Sequence, residues 1–182
     1  MRRPWLWALG IMGVIATLAF TLAPFLTIAR FQTAALEGRL ADVAALTEAP
    51  AVRASLKQRA ERRLMSELRE DGELVENPLR GFALALAPSL ADGFAETLAS
   101  PRAIAVLVTT ADPPRTPVEA AYPPSPHERL PVSRWVEVAG PGEVRLRVNR
   151  RGAPSERACA LVFGRRGLLR WRMVDIRLPP ED

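Results

Sequence analysis

The sequence predicts an α+β protein in which a long apolar helix precedes further helices packed on a four-stranded antiparallel sheet. Three observations support this prediction. Trp5 to Ala29 contains no charged residue, apolar residues recur at helical spacing across residues 30–110, and strict apolar–polar alternation begins at Glu143. A run of helices followed by a run of strands is typical of an α+β layer.

The apolar N-terminal stretch is long enough to cross a membrane. A helix rises about 1.5 Å per residue, so roughly 20 apolar residues span a hydrocarbon core about 30 Å thick. Trp5 and Trp7 lie at one edge and Phe25 and Phe31 at the other, as in an interfacial aromatic belt. A buried core helix is disfavoured, because soluble helices rarely run this far without a polar face.

A cleaved signal peptide is the alternative to a permanent anchor. Arg2 and Arg3 would form its basic region, and Thr21 to Ala23 would place small residues near a cleavage point. The apolar run continues past that point, however, and Pro24 would become the first mature residue. The sequence therefore favours an uncleaved signal-anchor.

The basic residues around the span predict its orientation. Arg2 and Arg3 lie beside the amino terminus, whereas Arg30 and Arg39 are spread along the far side. Basic residues concentrate on the cytoplasmic side of a span. We expect one pass through a bacterial inner membrane, with the N-terminus cytoplasmic and the bulk periplasmic.

Composition sets limits on the rest of the chain. The net charge of +5 is almost entirely arginine, since Lys57 is the only lysine, and this bias resembles that of a GC-rich genome. Cys159 is the only cysteine, so no disulfide forms within the chain. Its apolar neighbours predict a buried thiol without special reactivity.

Four regions follow from these patterns: an anchor at residues 1–29, a helical part at 30–110, a proline-rich loop at 111–131 and a sheet part at 132–182. The last three are expected to form one extracytoplasmic domain. The anchor helix should continue to a C-cap at Gly38. Further helices are predicted at Leu40–Leu46, Ala49–Glu70, Pro78–Leu98 (taken as core, and bent or split by Pro88 and Gly93) and, after the cap Ser100-Pro101, Arg102–Val108.

Four strands are predicted in the sheet part. Arg134–Val138 and Glu143–Asn149 flank a turn at residues 140–142, and Arg157–Phe163 is apolar on both faces, as in a central strand. The last strand, Leu168–Leu178, changes phase along its length. A β-bulge near Met173 would place five residues on the core face: Leu169, Trp171, Val174, Ile176 and Leu178.

Several phrases together resemble a bacterial family called domain of unknown function 2939. They are Pro24-Phe25-Leu26, Ala34 with Leu36-Glu37-Gly38, Ala51 to Lys57, Ser100-Pro101, Leu161-Val162-Phe163 with Gly167-Leu168, and Trp171 to Pro179. The resemblance implies a short protein with an N-terminal membrane anchor, and it supplies no reaction, ligand or catalytic residue. The order of elements is also similar to the cone-shaped folds of nuclear transport factor and cystatin type, which is an analogy of fold alone.

The sequence offers no catalytic or cofactor-binding motif, and one histidine with one cysteine excludes most sites that depend on those residues. No metal, cofactor or nucleic acid is expected. Asp92, Glu96 and Asp175 are the candidates for a catalytic pair of carboxylates, but they are better explained as charged surface residues.

Arginines are the most distinctive feature of the sheet. Alternation places many on one exposed face, which is either a solubilising face or a surface that binds lipid headgroups or an acidic envelope partner. The candidate anion- or lipid-facing residues are Arg145, Arg147, Arg170 and Arg172.

The function expected from the sequence is a membrane-anchored, non-enzymatic binding or interaction module. One alternative is an enzyme with a carboxylate and arginine pocket in a cone-shaped domain. Another is a structural subunit of an envelope complex, although Gly10 and Gly13 miss the small-xxx-small spacing of packed membrane helices.

Overall fold

The structure is a computed structural model that describes residues 4–70, 79–113 and 131–179. Within these ranges the α+β prediction is confirmed: a long apolar helix and four further helices accompany an open four-stranded antiparallel sheet. The helices are α1 Pro4–Leu36, α2 Leu40–Leu46, α3 Ala49–Glu70, α4 Leu79–Leu98 and α5 Pro101–Thr110; the strands are β1 Val132–Gly140, β2 Glu143–Arg150, β3 Cys159–Arg165 and β4 Trp171–Arg177.

Helix α1 has two different halves. Along Gly10–Leu22 its apolar side chains are exposed, whereas from Ala23 onward one face is buried through Ile28 and Phe31. The helix passes Ala29 without a break and ends before Gly38, whose φ of +71° confirms the predicted glycine C-cap. One helix therefore supplies both an exposed apolar segment and part of the hydrophobic core.

The sheet is a meander in the order β1–β2–β3–β4. One face of β2 is buried through Val144, Leu146 and Val148, as its alternation predicts, and packs with the helices in one core cluster. All residues of Cys159–Phe163 are buried, which confirms β3 as a central strand.

The bulge predicted in the last strand is present, but its consequence differs. Val162 pairs with Asp175 while Phe163 pairs with Met173, so Val174 is the extra residue. Trp171, Met173 and Ile176 are consequently the buried residues of β4. The predicted core position of Val174 was wrong, because the bulge lies one residue later than Met173.

The free edge of β4 is covered by the segment that joins α2 to α3. Thr47 forms a parallel bridge with Met173, and the Glu48 N–H donates to the Met173 carbonyl at 2.8 Å. Covering an edge in this way prevents its unpaired backbone groups from forming hydrogen bonds with strands of other chains.

Helix α4 agrees with the prediction only in part. It runs through Pro88 without being split. The expectation that it belongs to the core holds only in part. Ala91, Ala95 and Leu98 are buried, and the last two belong to the core cluster. Leu86, Leu90 and Phe94 are exposed. Helix α3 packs against α4, and the exposed apolar residues lie away from this contact.

Some predictions fall outside the described residues. These concern Arg2 and Arg3, Pro78 at the predicted start of the fourth helix, and residues 114–130 of the predicted proline-rich loop. The predicted caps of α5 can be tested: the Ser100 hydroxyl accepts from the Ala103 N–H at 3.1 Å, and Pro101 opens the helix, as expected.

The contact between α1 and the sheet yields a first prediction. The rings of Phe31 and Phe163, both fully buried, lie edge to face with centroids 5.2 Å apart. Replacing Phe163 with Ala should lower the free energy of unfolding by about 3–5 kcal/mol, because it leaves a cavity and removes the ring contact. Chemical denaturation of the full chain in detergent micelles, followed by near-ultraviolet circular dichroism, measures the loss.

Leu26→Ala is the matched control, since this α1 side chain is 60% exposed on the face away from the sheet. It should change the unfolding free energy by no more than about 0.5 kcal/mol. Equal effects of the two substitutions would contradict the assignment of the second half of α1 to the core.

Candidate functional site

A shallow groove of about 580 Å³ lies where α1, α2 and the β3–β4 connection meet, and we call it the helix–loop groove. Its lining comes from one residue of α1, one of α2, the connecting loop and the start of β4: Thr27, Leu46, Arg166, Gly167, Leu168, Leu169, Arg170 and Trp171. The groove thus lies beside the helix that carries the apolar half.

The loop from Arg166 to Arg170, the β3–β4 loop, is closed by its own hydrogen bonds. The Arg166 N–H donates to the Arg170 carbonyl at 2.8 Å. The Arg165 guanidinium donates to the carbonyls of Gly167 at 2.8 Å and Leu168 at 3.2 Å. Three of the loop's five carbonyls, those of Gly167, Leu168 and Arg170, are therefore satisfied from within the protein. Its two leucines point outward: Leu168 is 79% and Leu169 54% exposed.

The predicted core position of Leu169 was accordingly wrong. β4 begins only at Trp171, because the preceding residues form the closed loop instead of extending the strand. A pair of adjacent leucines bracketed by Arg165, Arg166 and Arg170 was the sequence signal that could have identified an exposed apolar tip.

Contacts between β3 and α1 determine where the β3–β4 loop lies along the helix axis. Phe163 in β3 packs on Phe31, and two residues later the Arg165 guanidinium lies 3.9 Å from the centroid of the Phe20 ring. β3 therefore runs toward the exposed half of α1, and the β3–β4 loop lies at that end of the domain.

An ion pair and a buried tryptophan form part of the groove walls. Arg166 forms an ion pair with Glu48 at 2.5 Å, which ties the loop to the start of α3. Trp171 is buried, and its indole Nε1 has no hydrogen-bond partner among the residues the structure describes.

The predicted arginine candidates do not form one site. Arg145 and Arg147 lie on the sheet face opposite the core, where they pair with Glu143 and Glu137 at 2.7 Å each. The hydrogen bond from Arg147 is the main cause that lowers the pKa of the Glu137 carboxyl, and the charges of Arg147, Arg145 and Arg177 lower it further. Much of the positive charge on this face is thus balanced locally.

Arg170 and Arg172 differ from that pair. Arg170 is exposed on the β3–β4 loop, and Arg172 lies opposite Gly164 on the same face as Arg145. Neither side chain forms an ion pair with any residue in the described part of the chain.

The three candidate carboxylates lie on two sides of α3. Ser55 donates to Asp175 at 2.6 Å and Arg59 forms an ion pair with it, whereas Lys57, on another face of the helix, pairs with Asp92 at 2.7 Å. This hydrogen bond is the main cause that raises the Lys57 pKa. A second cavity, of about 270 Å³, is lined by Arg53, Ala54, Lys57, Asp92, Ala95 and Glu96.

No group of three or more metal-ligating side chains occurs within residues 4–70, 79–113 and 131–179. Cys159 is buried, as predicted. Burial raises the pKa of its thiol to about 12, and the charge of Asp112 adds to the effect. At neutral pH the sulfur is therefore a protonated core atom and not a nucleophile.

Comparison with protein families shows to which family the chain belongs. A family described as proteins of unknown function, DUF2939, matches residues 14–107. The chain belongs to this family. The match runs from the apolar half of α1 into α5, so the sheet with its β3–β4 loop lies beyond it. No curated protein and no solved structure matches the chain.

Family membership leaves the role of α1 open between two possibilities. Gly10–Leu36 is long and apolar enough to cross a membrane, and its position near the N-terminus suits either an anchor or a secretion signal.

The thiol provides a second prediction. In the folded full chain at pH 8, Cys159 should react with a thiol reagent such as Ellman's reagent only over hours, because the thiolate is scarce and the sulfur is buried. In guanidinium chloride, reaction should finish within minutes. Rapid reaction of the folded chain would contradict the buried position of β3.

Proposed function

We propose that this protein is a single-pass membrane protein whose periplasmic α+β domain acts as an interaction module at the membrane surface. The observation that carries the proposal is α1: one uninterrupted helix has an exposed apolar half and a half that belongs to the core. A helix of this kind fits a permanent anchor better than a removable leader.

The cleavage alternative is disfavoured by the conformation of the chain at Ala23. A peptidase must bind its substrate as an extended segment, whereas Ala23 and Pro24 are buried within the helix. In the folded protein, reaching the bond would require α1 to unwind and leave the sheet. Ile28 and Phe31 would then be exposed to water, which would cost about 1.5–3 kcal/mol of folding free energy for each side chain.

The length of the exposed half suits a bilayer. Counting roughly 20 residues from Pro4 places the end of the hydrocarbon core near Ala23, where the domain begins. The hydroxyls of Thr17 and Thr21 donate to carbonyls of α1 itself, at 2.9 and 3.0 Å, so they would not enter the bilayer unpaired. The domain would then lie directly on the membrane without a linker.

Residues 30–182 would function as one domain, since the core cluster draws on α2, α3, α5 and the sheet as well as α1. A sheet with helices on one face supports the cone-like analogy. Binding is favoured over catalysis because Asp92 and Asp175 are held in ion pairs and Cys159 is protonated. Arg170 and Arg172 carry the anion-binding part of the proposal.

A second candidate function is an enzyme that uses the charged cavity between α3 and α4. The observation in its favour is that Asp92 and Glu96 line this cavity together with Arg53 and Lys57. The Lys57–Asp92 ion pair explains the same residues as a contact that joins the two helices, which favours the interaction module.

A third prediction tests the anchor and its orientation. Alkaline phosphatase fused after Asp182 should be active and green fluorescent protein at the same position dark, because only the phosphatase matures in the periplasm. The intact mass of the membrane-extracted chain should retain residues before Ala23. Replacing Arg2 and Arg3 with Glu should reduce phosphatase activity, since the orienting charges are lost.

A fluorescent fusion without phosphatase activity would refute the orientation. A mature chain that begins at Pro24 and is released from the membrane would refute the anchor and with it the membrane-surface module.

A further inference from the structure

We infer that the β3–β4 loop is a second membrane contact, in which Leu168 and Leu169 enter the leaflet next to α1 while Arg170 binds a lipid phosphate. This inference rests on the proposed anchoring of α1, and it names the surface that the domain turns toward the bilayer.

The position of the loop is the first argument. Arg165 contacts Phe20, and Thr27 lines the same groove as the two leucines. If the hydrocarbon core ends near Ala23, the loop lies within the interfacial zone, continuous with the apolar surface of α1. The domain itself thus holds the leucines at the depth where lipid begins.

The exposure of the leucines is the second argument. Leu168 at 79% is the most exposed of the large apolar side chains in the described part of the chain. The two adjacent leucines thus present apolar surface at a loop tip, and exposed apolar tips flanked by basic residues are typical of interfacial membrane contacts.

The backbone of the loop is the third argument. Polar backbone groups near lipid must be satisfied by the protein, because little water is present to replace their partners. The carbonyls of Gly167, Leu168 and Arg170 all accept hydrogen bonds from Arg165 or Arg166. The loop can therefore enter the interface with these groups already paired.

The charges complete the case for a phospholipid surface as the partner. Arg166 is engaged by Glu48, whereas Arg170 is exposed and forms no ion pair with a residue of the described ranges. A guanidinium at headgroup level binds phosphate in a forked geometry, and its affinity grows with the anionic lipid content.

The experiment uses the full chain in nanodiscs of phosphatidylcholine and phosphatidylglycerol. Gly167→Cys carries an environment-sensitive fluorophore and leaves both leucines in place; a Cβ at Gly167 meets only Arg170, at 3.7 Å, without backbone strain. Ser155→Cys is the control site, exposed in the β2–β3 connection at the opposite end of the sheet. Buried Cys159 leaves each label unique.

Lipids with a nitroxide on the acyl chain should quench the label at 167 several-fold more than the label at 155, and aqueous iodide should show the opposite preference. Leu168→Ser with Leu169→Ser should reduce quenching at 167 severalfold, although α1 keeps the loop near the membrane and the signal above that at 155. Arg170→Gln should reduce it in phosphatidylglycerol discs, whereas Arg151→Gln, an exposed arginine at the far end of the sheet, should not.

Each contrary result has a distinct meaning. A chain that does not co-purify with nanodiscs overturns the anchor, and with it the proposed function. A chain that co-purifies but shows equal quenching at 167 and 155 overturns the loop contact alone. Quenching at 167 that is unaffected by Arg170→Gln overturns the phosphate contact.

Discussion

The continuity of α1 is the constraint on which the rest of the structure depends. Its buried face brings Ile28 and Phe31 into the core, where each side chain contributes about 1.5–3 kcal/mol by leaving water. Domains of this size are stable by only about 5–15 kcal/mol in total. Detaching the helix from the domain would therefore remove a large share of the total stability, and this cost holds the apolar half in a fixed direction.

If α1 is the proposed membrane anchor, its fixed position also determines which surface of the protein faces the bilayer. The direction of β3 relative to α1, set by Phe163 on Phe31 and Arg165 on Phe20, brings the β3–β4 loop to the apolar end. The opposite sheet face carries arginines that pair with Glu137 and Glu143, as expected of a solvated surface. The exposed leucines of the β3–β4 loop thus lie beside α1, whereas the paired arginines lie on the sheet face opposite the core.

Much of the fold could be predicted from the sequence where punctuating residues and a single period coincide. Gly38 and Pro50 delimit α2 and α3, and the alternation after Glu143 delimits β2. The prediction failed where two interpretations share one pattern. The leucines before Trp171 suit a strand, and only the hydrogen bonds of Arg165 make them a loop. The partners of Arg145 and Arg147 depend on register, which alternation alone does not provide.

The central claim, that span and core are one rigid helix, is tested most directly by amide hydrogen exchange of the full chain in nanodiscs. The account predicts slow exchange without interruption from Gly10 to Leu36, including the residues on both sides of Pro24, which has no amide hydrogen of its own. Fast exchange confined to residues 22–27 would reveal a flexible joint between membrane and domain, and would contradict both the fixed orientation and the depth assigned to the β3–β4 loop.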